Sequence, residues 1–122
     1  MCRVAKLTSV SIAPPSWQAL TIEYPDVCAA YDALSDACRG AGPLDGGTVA
    51  LVKLAVSVGG GCQRTVHAHA KKALRAGLKA EALRHVALLA LPTIGLPAAL
   101  DARRWIEESI HEFAAHEDSP LR

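Results

Sequence analysis

Cys62 and His69 stand seven positions apart, about two turns of a helix, so both side chains project from one helix face with Thr65 between them. A thiolate is a nucleophile, and a nearby imidazole can take its proton or hand one to a leaving group. Cys62 opens its segment, where unpaired backbone N–H groups and the helix dipole favour thiolate over thiol. The preceding Gly59-Gly60-Gly61 lets backbone or substrate approach closely. Two turns is too far for a direct hydrogen bond, so a water, a substrate atom or Thr65 has to bridge the pair. The plainer reading is that Cys62 and His69 are packing residues.

His67, two positions from His69, points elsewhere on the same helix. His85, His111 and His116 read as polar-face or interface residues, and the spacing supports no metal site and no cofactor. The other cysteines are Cys2, Cys28 and Cys38. Their wide spacing and a core that needs no staples predict reduced thiols in a cytoplasmic protein.

The elements that must position this face are helices. Pro25 suits a first helical turn, and Val27, Ala30, Tyr31, Leu34, Ala37 and Cys38 recur at helical spacing until Gly40-Ala41-Gly42-Pro43. Cys38 lies on that stripe and Cys28 off it. Asp45 is a plausible N-cap for a second helix containing Val49, Leu51, Val52, Leu54, Ala55, Val56 and Val58, apolar nearly all round and therefore expected at the centre. Lys53 interrupts it, either with a packed stem and a solvated ammonium or facing a polar cavity. The third helix runs from Cys62 to Ala76 and is capped by Gly77. A fourth, from about Lys79 to Leu91, turns Leu83, Val86, Leu89 and Ala90 inward and stops at Pro92. A fifth, from about Pro97 to His116, carries Ala98, Ala102, Trp105, Ile106, Ile110 and Phe113 on one face. Residues 1–23, interrupted by Pro14-Pro15, read as an extended N-terminal arm, with the helical core at 24–116 of a single domain. The class is a compact all-α bundle with short connections.

Composition excludes several functions. The net charge is +1 and no basic stripe carries interleaved aromatics, so nucleic-acid binding has little support; Lys71, Lys72 and Arg75 read as a solvated helix face. The most apolar stretch, Thr48 to Gly61, is too short for a bilayer, and Met1–Ser11 lacks the apolar run of a secretory signal. Apolar residues make up 51% of the chain but aromatics only 4%, so the core must be built from Ala, Leu, Val and Ile. Such a core is short of bulky filler, and a homo-oligomeric interface could supply the missing burial.

The segments Leu54-Ala55-Val56-Ser57, Gly61-Cys62, His69 and Ala73-Leu74-Arg75-Ala76-Gly77 closely resemble the core of the carboxymuconolactone decarboxylase / alkylhydroperoxidase AhpD-like family. Ile94-Gly95-Leu96-Pro97-Ala98-Ala99-Leu100 is similar to that family's segment after the next helix, and Tyr31 to Leu44 to the preceding helix and loop. The resemblance implies an all-helical fold that assembles into trimers or hexamers. In the peroxidase branch a Cys-x-x-Cys pair, followed by His four residues on, performs thiol redox chemistry while an upstream Glu relays protons. The decarboxylase branch keeps His and Glu without the cysteine pair. Cys62 falls on the first motif cysteine and His69 on the histidine, but Thr65 occupies the second cysteine position and Ala50 the Glu position.

A Cys-x-x-Cys disulfide therefore cannot form within this motif. A sulfenic acid at Cys62 needs an external thiol reductant, or Cys28 or Cys38 if the fold brings one near; Glu23 or a carboxylate of another subunit could replace the missing acid. The leading expectation is a thiol-dependent, peroxidase-like enzyme acting on a small molecule, with Cys62 as nucleophile, His69 as proton-transfer partner and Thr65 as a polar positioning group. The alternatives are a lyase of the decarboxylase branch acting on a small carboxylated lactone, and a catalytically degenerate member with a binding or scaffolding role.

Overall fold

The computed structural model describes residues 16–118, and among them every regular element is an α-helix. The first is α1, Ser16–Glu23. The end of the expected arm is thus helical rather than extended; its remainder, residues 1–15, lies outside the described residues. Helix α2 spans Pro25–Gly40, with Pro25 in the first turn as its fixed φ predicts. These two helices form one unit, in which the Trp17 and Tyr31 rings meet edge-on at 5.6 Å.

The stripe expected to face inward on α2 does not do so. Val27, Tyr31 and Leu34 are exposed, as is Cys38, whereas Cys28, off the stripe, is the buried side chain. Periodicity locates an apolar face but not what covers it.

The second unit contains α3 (Gly46–Gly60), α4 (Gln63–Arg75), α5 (Ala80–Ile94) and α6 (Leu96–Glu117). Helix α3 starts as expected, Asp45 Oδ1 accepting the Thr48 N–H at 2.8 Å. It runs through Gly59 and Gly60 and stops at Gly61, whose φ of 67° is the left-handed conformation that glycine adopts without a Cβ clash. Helix α4 ends in a Schellman turn: the Gly77 N–H donates to Leu74 O at 3.0 Å and the Leu78 N–H to Ala73 O at 3.1 Å. Helix α5 passes through Pro92 to Ile94, three residues beyond the expected end at Leu91. Proline removes one donor, but the Gly95 N–H reaches Leu91 O at 3.2 Å and Thr93 Oγ1 reaches Leu89 O at 3.0 Å, so the last turn holds.

The core of this unit joins Leu54 and Val58 of α3, Val66, Ala70, Ala73 and Leu74 of α4, Leu83 and Ala87 of α5, and Ala102 and Ile106 of α6. Alanines at four of these ten positions let the helix backbones approach closely. Helix α3 is not buried all round: Leu54, Ser57 and Val58 point inward, while Val52 and Val56 are exposed. Leu89 of α5 and Ala98 of α6 also lie outward, and Ala87 and Ala99 take the buried positions instead. No helix among the described residues is long and apolar enough to cross a membrane.

Candidate functional site

The site is built on α4 by its capping and its packing. Cys62 is the N-cap residue, with extended backbone (φ −105°, ψ 111°), one position before the helix in which it was expected to take part. Its carbonyl accepts the Val66 N–H at 3.0 Å, the first bond of the helix. Its side chain makes no capping hydrogen bond, and the partial positive charge of a helix N-terminus favours a thiolate at a reduced cysteine there. Cys62 is buried.

At about 100° per residue, Cys62 and His69 fall within about 20° of each other around the helix, and Thr65 about 60° to one side. Val66, Ala70 and Ala73 fill the adjoining face and are fully buried. That packing fixes which way α4 turns, and it leaves Thr65 and His69 half-buried at the margin of the core. Thr65 and His69 are thus carried by α4 itself, and Cys62 by the N-cap position before it. The seven-residue separation places Cys62 and His69 about 10 Å apart along the axis, so a bridging atom is required between them.

Cys62 departs from expectation in its redox state. Wide cysteine spacing predicts a reduced thiol here, but the Cys62 sulfur is engaged in a disulfide, while Cys28 and Cys38 are free. Spacing shows pairings only when cysteines are close in sequence. The absence of a local pair is therefore not evidence for a reduced thiol.

Around His69 the electrostatics come from cations. Burial is the largest influence, followed by the charges of Lys72 on its own helix and Lys53 on α3, and all three hold the imidazole below its ordinary value. Lys53, half-buried, thus sits within electrostatic reach of His69. Lys72 belongs to the charged group taken as a solvated face, and nothing in its spacing distinguished it. Ala50 packs against the apolar core, and Glu23 ends α1 exposed.

The opposite side of α4 does structural work. His67 Nε2 lies 3.4 Å from Glu108 Oε2 without completing a hydrogen bond, and one turn on Lys71 Nζ pairs with Glu112 Oε2 at 2.6 Å. These contacts tie α4 to α6, as Arg84 and Glu107 tie α5 to α6 through a two-pronged contact at 2.6 and 3.2 Å. His67 accordingly faces away from His69, as its offset required. Among the described residues no three His, Cys, Asp or Glu side chains converge to hold a metal. The prominent clefts lie elsewhere: one of about 730 Å³ beside Lys71, Glu112 and His116, and one of about 490 Å³ between α5 and α6 beside His85 and Leu88.

The model of the carboxymuconolactone decarboxylase family matches residues 25–108, more than half of the chain and all of α2 to α5. The chain belongs to this family. No curated protein and no solved structure matches it. Within the family match, Cys62 caps α4, His69 stands two turns on, and Thr65 and Ala50 fill the positions at which the resemblance implies a second cysteine and a glutamate.

Proposed function

We propose that this family member is a thiol-dependent, peroxidase-like oxidoreductase of the AhpD-like branch, with Cys62 as its nucleophile. The observation that carries the reading is that the Cys62 sulfur, at the N-terminus of α4, is engaged in a disulfide. When reduced, a cysteine at a helix N-terminus has a stabilised thiolate form, the nucleophile that the reaction needs. The reduced thiolate attacks the distal oxygen of a hydroperoxide; the O–O bond breaks, Cys62 becomes a sulfenic acid and the alkoxide leaves as an alcohol after protonation. His69, held neutral near pH 7 by burial and by its two lysine neighbours, takes the Cys62 proton through a bridging water and returns it to the leaving oxygen. Thr65 orients that water. An external thiol supplies the reducing electrons.

The working form is a homo-oligomer, a trimer or hexamer. The support is the amount of apolar surface left open on the chain, with Tyr31 and Leu34 each 60% exposed and Val56 71%. Cys62→Ser should abolish hydroperoxide consumption in the presence of a dithiol, and undiminished turnover would overturn the assignment. A Cys62 that reacts only as an ordinary thiol across the pH range points instead to a degenerate member with a binding role.

Lys53 and Lys72 beside His69 favour a second reading, in which a small carboxylated lactone docks its carboxylate there and His69 acts as acid or base. Lactone turnover that survives Cys62→Ser but not His69→Ala separates the two.

A further inference from the structure

Helices α5 and α6 meet at Gly95, and the cleft of about 490 Å³ between them is walled by Leu88, Leu91, Leu96 and Leu100. Its charged lining is Glu81, Arg84, His85 and Arg103. The leucines stand open to solvent: Leu88 is 62% exposed, Leu96 55% and Leu100 54%. A small-molecule pocket encloses most of its ligand, which walls this open do not do. A contiguous apolar face with charged residues beside it has instead the anatomy of a protein interface.

Two features make a second copy of this chain the occupant. The patch carries a ridge and a groove together. Leu88 projects from α5 beside the cleft, so one surface offers both the knob and the hole that a two-fold contact requires. Its charges also balance. Arg84 Nε is held by Glu107 Oε1 at 2.6 Å, and Glu81 and Arg103 have opposite signs, so two such faces approach without the repulsion that a groove of one sign would meet in its own copy. We infer that the α5–α6 face is a two-fold contact of this protein, in which α5 and α6 of two copies close a four-helix bundle over Leu88 and Leu100. The inference rests on the homo-oligomer reading and narrows it. A two-fold contact demands an even number of subunits, and with a three-fold contact elsewhere it builds the hexamer rather than the trimer. It is independent of the chemistry at Cys62.

The test measures the mass of the full chain by sedimentation equilibrium, with excess reductant so that no disulfide links the copies. Leu88→Glu and, on the other wall, Leu100→Glu should each halve the mass, because a carboxylate would be buried in the apolar centre; association should weaken by about thirtyfold or more. Leu88→Met should keep the wild-type mass. All three positions are exposed in the single chain, and circular dichroism confirms that each variant folds. A wild-type protein with an odd number of subunits, or a Leu88→Glu variant of unchanged mass, would overturn the inference. The two readings fail separately. A wild-type dimer that Leu88→Glu splits into monomers keeps the two-fold contact and ends the trimer-or-hexamer reading. A hexamer that neither glutamate disturbs keeps the assembly and ends the α5–α6 contact, and a wild-type monomer ends both. Dodecanoate bound by such a monomer, and lost in Leu88→Glu, would assign the groove to an anionic amphiphile instead.

Discussion

Val66 sits between Cys62 and His69 on α4 with no exposed surface, so its truncation probes the packing that orients both residues. Val66→Ala removes two carbons from the core, about 1.6 kcal/mol at roughly 0.8 kcal/mol per group transferred. The helices on either side are held by their other contacts and cannot collapse fully into the gap, so a cavity term brings the loss to about 2–3 kcal/mol. At about 2.1 cal/mol/K of unfolding entropy per residue, 122 residues give roughly 4 °C of Tm per kcal/mol, hence a fall of about 8–12 °C. The assay is thermal unfolding followed at 222 nm, at one fixed protein concentration and with excess reductant, so that neither assembly nor the disulfide alters the reference state. A surface valine would cost no more than about 0.5 kcal/mol. A fall below about 4 °C would therefore refute the placement of α4 in the core and the shared face that depends on it.

The remaining predictions concern charge and polarity. Lys53→Met, which keeps most of the apolar stem and removes the charge, should raise the His69 pKa toward its ordinary 6.5, read from the imidazole proton shifts against pH; an unmoved titration would remove Lys53 from the site. Because the folded-state value is depressed, the unfolded chain protonates first as pH falls. The His69 contribution is thus complete above pH 6.5 and is lost as pH drops through the folded pKa, and Lys53→Met should shrink that acid-side loss in a denaturation series. Ser109 is 1% exposed and its hydroxyl has no partner, so Ser109→Ala should raise stability by about 1 kcal/mol or more, seen as a higher Tm; a lower one would mean that the hydroxyl is satisfied.

Much of this protein is legible in its residues. Periodicity, Asp45 and Gly77 mark the helices around the site, because capping and burial act over a few neighbouring residues. The Cys62–His69 face follows from helix geometry alone, and the family follows from the segments around it. Local rules misled where a local cost was offset by bonds made elsewhere. Pro92 lies inside α5 because neighbouring donors satisfy the last turn, and α3 crosses two glycines before Gly61 ends it.

Tertiary structure decided the rest. An apolar stripe reports that a face avoids water but not which surface covers it, so α2 displays Val27, Tyr31 and Leu34 while burying Cys28. Lys53 is remote in sequence from His69, and only the packing of α3 on α4 makes it one of the charges that keep the imidazole neutral. The disulfide at Cys62 likewise depends on distance in space, which spacing along the chain does not encode. Sequence determined which side chains share a helix face; the fold decided what surrounds them, because charge and burial act through space.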